Sequence, residues 1–295
     1  MIFPSIFTKL AFVKDQKMIR NNQNLTTMKT FLFILLAAAI TFGAIIYQRT
    51  TGPTYPKKVE LTIESQSYQF ELIRSHGGQS DCQLEFAVAD PSVSGQITFR
   101  KFPTNDEWTT TDLKREGDKL VGFLPHQPPA GKLEYKVEFS KDGSIYPLHE
   151  TNATVIRFKG DVPAVILAPH VILMFIAMFL SNLTGVMAAF NHGNFRKLAI
   201  WTLVALGLGG MVMGPWVQWY AFGEAWAGIP FAWDLTDNKT LLAFIFWIVA
   251  VVMNRKKARP GYIIVAALVM IMIYSIPHSM YGSQLDPETG VIIQG

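Results

Sequence analysis

A single cysteine, Cys82, stands in the whole chain. That excludes an internal disulfide, a CxxC redox pair and a thiolate metal cluster built from one chain. There is no Ser-His-Asp order, no glycine-rich phosphate loop and no paired-acid motif, so neither a hydrolase nor an ATPase is indicated. Charge is scarce. Only 16% of residues are charged against 50% that are hydrophobic, the mark of a membrane protein with a soluble portion. The net charge is +4, but the basic residues gather at the ends of apolar runs, which makes nucleic acid an unnatural partner. No internal repeat and no charged path through the apolar runs is visible, so a small transporter ranks last among the readings.

What is present divides cleanly along the chain. Residues 1–30 are basic and poor in acids, through Lys9, Lys14, Lys17, Arg20 and Lys29. They read as a cytoplasmic segment, and Met28 opens a stretch with the form of a translation start. Residues 31–50 hold an apolar anchor, Phe31 to Tyr47, near the lower length limit for a spanning helix. A cleaved signal peptide is the other reading, but no small-x-small site follows, so an uncleaved anchor is expected. From 57 to 160 the pattern changes to period two: Val59, Leu61 and Ile63; Phe70 and Leu72; Leu84, Phe86 and Val88; Ile97 and Phe99; Leu133, Tyr135, Val137 and Phe139; and Val155, Ile156 and Phe158 close the series. Turn residues at Gly77-Gly78, Asp90-Pro91, Pro128-Pro129 and Asp142-Gly143 break it, which predicts about seven short strands in a β-sandwich.

Residues 162–278 then carry four apolar runs, giving about five transmembrane helices in all. Arg196-Lys197 and Arg255-Lys256-Lys257-Arg259 mark two loops on one side, with the basic N-terminus. The positive-inside rule makes that side cytoplasmic. The predicted fold is therefore a helical membrane protein with an all-β domain inserted on the outer face. It is expected in a bacterial cytoplasmic membrane, with the lipid bilayer and an envelope or respiratory protein as its partners. The β-domain, the loop 215–239 and the tail 279–295 share the outer side.

Two histidines, His170 in the second span and His278 closing the fifth, fall in or near the outer leaflet. By rise per residue their depths differ by only about 7 Å, so neighbouring helices could bring both imidazoles to one metal or haem. The plain alternative is that each bonds a backbone carbonyl or a side chain between helices. Gly207, Gly210 and Gly214 form a small-residue stripe suited to close helix packing or to a flat cofactor, and Ser181 and Asn182 suit interhelical hydrogen bonds. His76, His126 and His149 lie on separate stretches of the β-domain without metal-ligand spacing and read as surface residues.

The loop holds four of the seven tryptophans, Trp216, Trp219, Trp226 and Trp233, with Glu224, Asp234 and Asp237 among them. An aromatic belt explains Trp216 and Trp219. Asp234, Thr236 or Asp237 can cap the next helix. The stretch Trp226–Asn238 resembles the tryptophan-rich WWD motif of cytochrome c assembly membrane proteins, through Trp226, Trp233, Asp234, Asp237 and Asn238. It departs from that motif where Ile229-Pro230-Phe231 replaces the middle tryptophan, and that family has no such β-domain. The resemblance implies haem handled on the outer face, aromatics along its edge and flanking histidines, here His170 and His278, as its ligands. Residues 58–159 resemble immunoglobulin or fibronectin type III-like extracytoplasmic domains, which proves no function.

Three functions follow as expectations. The first is a haem-binding subunit, with haem b held by His170 and His278 beside Trp226, Trp233 and Asp234, for electron transfer or cytochrome assembly. The second is a non-enzymatic envelope scaffold or assembly subunit. The third is the small transporter.

Overall fold

The computed structural model describes residues 6–148, 152–277 and 282–294. Helix α1 runs unbroken from Ile6 to Thr51. From Ile6 onward, the segments expected separately at 1–30 and 31–50 are thus one helix. No glycine or proline interrupts it before Gly43, so nothing breaks the intrahelical hydrogen bonds. After the β-domain come α2 (Ala164–Ala189), α3 (Phe195–Leu206), a π-helical stretch (Gly207–Met213), α4 (Gly214–Phe222), α5 (Leu235–Met253) and α6 (Pro260–Ser275). Gln23–Thr51, Ala164–Ala189, Phe195–Phe222 and Leu235–Met253 are each long and apolar enough to cross a membrane, and α6 is a shorter apolar helix.

Small residues set the helix separations. A Cβ on Gly185 would stand 2.6 Å from that of Ala267, where α2 meets α6. One on Gly210 would stand 2.8 Å from the Thr240 methyl, and one on Gly207 3.2 Å from the Phe244 ring, where the third span meets α5. Gly207 and Gly210 of the stripe therefore serve helix packing. Trp247 is fully buried at the centre, its indole N–H 3.2 Å from Met270 Sδ. Asn182 Nδ2 donates to Thr41 Oγ1 at 2.9 Å. Nearer the basic loops, His192 Nε2 lies 2.8 Å from Thr30 Oγ1 and Phe33 stacks on Phe190. Helix α1 is thereby fixed to α2 and to the turn that follows it. The Arg196 guanidinium donates to the Arg255 carbonyl, so the two basic loops share one end of the bundle. The β-domain lies at the other.

Strands β1 (Lys57–Ile63) and β2 (Gln66–Leu72) form a hairpin. Strands β4 (Cys82–Ala87), β8 (Lys119–Leu124) and β7 (Lys114–Glu116) form a three-stranded sheet. The largest sheet runs β3 (Ser75–Gly77), β11 (Thr154–Lys159), β9 (Lys132–Lys141), β5 (Ser94–Lys101) and β6 (Thr109–Asp112), with β10 (Ser144–Pro147) also paired to β9. Only β3 and β11 run parallel among the described pairs. The inward residues Ile97, Tyr135, Val137, Phe139, Ile156 and Phe158 meet Phe70, Leu72, Leu84, Phe86, Leu120 and Leu124 in one core. Tyr135 is wholly buried, and its hydroxyl donates to the Ile73 carbonyl at 2.9 Å, as a buried phenol requires. The tail forms a hairpin of β12 (Ser283–Leu285) and β13 (Ile292–Gln294), pinned to the β-domain where Leu285 N–H donates to Ala130 O at 3.0 Å.

Candidate functional site

The tryptophan-rich loop begins where Gly223, at φ +84°, ends α4 by donating to the Trp219 carbonyl. That left-handed conformation suits glycine at a helix C-terminus. The acids that follow act on backbone. Asp234 caps α5: its Oδ1 accepts from Thr236 N–H at 2.7 Å and Asp237 N–H at 3.3 Å. Its Oδ2 accepts from the Ser283 N–H at 2.8 Å and hydroxyl at 3.0 Å. One buried carboxylate thus joins the loop, the α5 N-terminus and the tail. Asp237 accepts from Ala227 N–H at 2.6 Å and Gln218 Nε2 at 3.0 Å. Asn238 Oδ1 accepts from Ile229 N–H at 2.8 Å. Trp226 Nε1 donates to Ile229 O at 3.2 Å, and a Cβ on Gly228 would stand 3.0 Å from the Trp226 ring. Asp234, Asp237 and Asn238 therefore supply acceptors to a backbone without regular secondary structure, which needs them. Trp233 and Phe231 point outward and are largely exposed.

The β-domain meets this loop with a cation pair. Arg157 on β11 stands directly opposite Lys132 on β9, and like charges facing across strands repel. The bundle and tail answer them. Arg157 lies 4.0 Å over the Phe222 ring and donates to the Ser283 carbonyl. Lys132 Nζ donates to Gln284 Oε1 at 2.7 Å. Burial lowers Arg157 to about 10, against the pull of Asp234. Burial, and then the Arg157 charge, lowers Lys132 to about 8. Gly160 N–H donates to Ala221 O at 3.0 Å, and any side chain at Gly160 would collide with the Tyr220 carbonyl. Below the loop, the buried Lys239 donates to Ile276 O at 2.8 Å, satisfying a carbonyl at the end of α6.

His170 sits beside the π-helical stretch, with Nδ1 2.9 Å from Gly209 O. A carbonyl only accepts, so Nδ1 carries a proton, and in the neutral ring the lone pair is on Nε2. Cε1 lies 3.9 Å from the Cβ position at Gly214, so the absence of a side chain there leaves one edge of the ring uncrowded. His170 therefore makes the backbone bond weighed above, in the tautomer a ligating imidazole adopts. His278 lies outside the described residues, and so does His149. Among the described residues no group of three His, Cys, Asp or Glu side chains is placed to hold a metal ion.

The remaining β-domain histidines, treated from sequence as unrelated, flank one ring. His76 and His126 stand edge-on to Phe158, at 5.7 and 6.2 Å between centroids. Their Nε2 atoms lie within hydrogen-bond distance of Ser80 O and Gly78 O. The residues that sequence reasoning missed are Arg157, Lys132, Ser283 and Gln284. Arg157 had a signal, a charge between the core residues Ile156 and Phe158, but its meeting with Ser283 is a long-range contact. No protein-family profile matches the chain, and no curated protein is significantly similar to it.

Proposed function

We propose that the chain is an integral membrane scaffold or assembly subunit. It crosses a bacterial cytoplasmic membrane five times, with the basic loops inside and the β-domain, tryptophan-rich loop and tail outside. The observation that carries this reading is the junction. Arg157 and Lys132 would repel on an isolated sheet, yet both find partners on the tail, and Asp234 of the bundle grips the same tail residue as Arg157. A β-domain held in this way keeps one height and orientation above the bundle, as docking of a partner protein on its wet face requires. Native mass spectrometry of the chain, extracted in mild detergent from its own membrane, tests this. A fixed-ratio complex with a second protein is expected, and a chain released alone would overturn it. For orientation, an impermeant thiol reagent applied to intact cells should label Lys114→Cys but not Lys256→Cys.

One observation favours a haem-binding subunit as a second reading: the bond from His170 Nδ1 to Gly209 O, which leaves Nε2 as the nitrogen able to ligate. In that reading His170 and His278 supply the axial nitrogens for haem b, while Trp226, Trp233 and Asp234 belong to the surrounding loop. Two of these residues fit that role poorly. The Trp226 ring is packed on Gly228, and all four Asp234 contacts go to the α5 cap and Ser283. A visible spectrum of the purified protein, oxidised and reduced, decides the matter. The haem reading requires a Soret band that His170→Ala removes, and a colourless protein ends it.

A further inference from the structure

The loop from Trp226 to Asp234 combines two properties that water does not demand together. Five of its backbone N–H groups are satisfied internally: Ala227 N–H by Asp237, Ile229 N–H by Asn238, Phe231 and Ala232 N–H by Gly228 O, and Asp234 N–H by Ala227 O. Its outward side chains are large and apolar, with Phe231 82% exposed, Trp233 68% and Ile229 44%. In water, solvent would satisfy such a backbone and exposed phenylalanine would be a liability. In an apolar phase, internal satisfaction becomes a requirement.

The loop also stands at the right height. Helix α5 has 19 residues, about 28 Å at 1.5 Å each. Trp233, just before it, thus lies one membrane thickness from the Arg255 cluster. The third span gives the same level independently. Trp216 is 21 residues from Phe195 at its basic end, about 31 Å, and both Trp216 and Trp219 are exposed. Aromatic residues collect at that level in membrane proteins.

We infer that residues 229–233 form a rigid wedge seated in the headgroup–acyl boundary of the bilayer that the spans cross. Ile229, Phe231 and Trp233 enter the lipid, while Asp237 and Asn238 hold the wedge from behind. The inference needs only the membrane crossing and is independent of the scaffold and haem readings. Asp234 belongs to the same loop and grips Ser283, so the wedge also sets the height of the β-domain.

The test uses the full-length protein in phosphatidylcholine nanodiscs, with a nitroxide placed through Phe231→Cys and a control through Lys114→Cys. Cys82 is buried and does not compete for the label. The expected result at 231 is relaxation by oxygen well above relaxation by a water-soluble nickel chelate, with the reverse at 114. Equal access by the chelate at both sites would overturn the wedge. So would protection of 231 from both reagents, which would indicate a protein partner instead. A second measurement guards against distortion by the label. Brominated phosphatidylcholine should quench the unlabelled protein more than Trp233→Phe, with shallow bromines the most effective. Equal quenching of the two proteins would also overturn it.

Discussion

At the scale of residues, Asp234 is the most heavily used side chain of the loop, because its two oxygens serve different parts of the molecule. Asp234→Ala removes an N-cap, about 1 kcal/mol, and leaves the buried Ser283 donors unpaired, a further 1–3 kcal/mol or so. A clear drop in melting temperature in detergent is expected, together with faster amide exchange over Ser283–Leu285. Asp234→Asn retains one acceptor oxygen and should fall between. If exchange at the tail stays unchanged in the alanine variant, Asp234 does not hold it. Lys132 makes a prediction in pH. Its folded pKa of about 8 lies below its ordinary 10.5. Below pH 8 the ammonium is charged in both folded and unfolded chains, and folding carries the whole penalty. Between about 8 and 10.5 the folded chain releases the proton first, so this group adds stability as pH rises through that window. The melting temperature of the wild type relative to Lys132→Met should therefore climb from pH 8 to 10.5. A flat difference would show that Lys132 is not desolvated.

At the scale of elements, the sequence revealed what is local and concealed what depends on contact. Apolar length marked the long helices, and Asp234 was recognisable as one of three caps for α5, because hydropathy and capping are written in neighbouring residues. Alternation marked β1, β2, β4, β5, β9 and β11. It could not mark β3, β6, β7 or β10, which have three or four residues each, nor β8, where Leu120, Val121 and Gly122 are buried in succession. The π-helical stretch was invisible because glycines permit it without specifying it. The acceptor role of Asp237 was not legible, because it depends on how the loop folds back on α5. Two substitutions test the bundle. Gly185→Val forces a side chain between α2 and α6, where even a Cβ would be 2.6 Å from Ala267, and should cost about 1–3 kcal/mol. Asn182→Leu removes the bond to Thr41 and should cost about 0.6 kcal/mol. Unfolding in graded denaturing detergent ranks the two, and a larger loss from Asn182→Leu would contradict the packing argument.

At the scale of the whole molecule, the structure has two cores, one in the β-domain and one in the bundle, joined by few but specific contacts. Orientation comes from Asp234, Arg157, Ser283 and Gln284, from Gly160 against Ala221, and from the guanidinium over Phe222. If these contacts set the pose, loosening them should free the domain while both cores stay folded. Spin labels at Lys114→Cys on the β-domain and Lys256→Cys at the opposite end of the bundle measure this by pulsed dipolar spectroscopy. The wild type should give one narrow distance distribution. Arg157→Ala combined with Asp234→Ala should broaden it, with the β-sheet circular dichroism retained. A narrow distribution in both would mean that other contacts orient the domain, and loss of the β-sheet signal would mean that Arg157 and Asp234 support the fold of the domain and not only its placement.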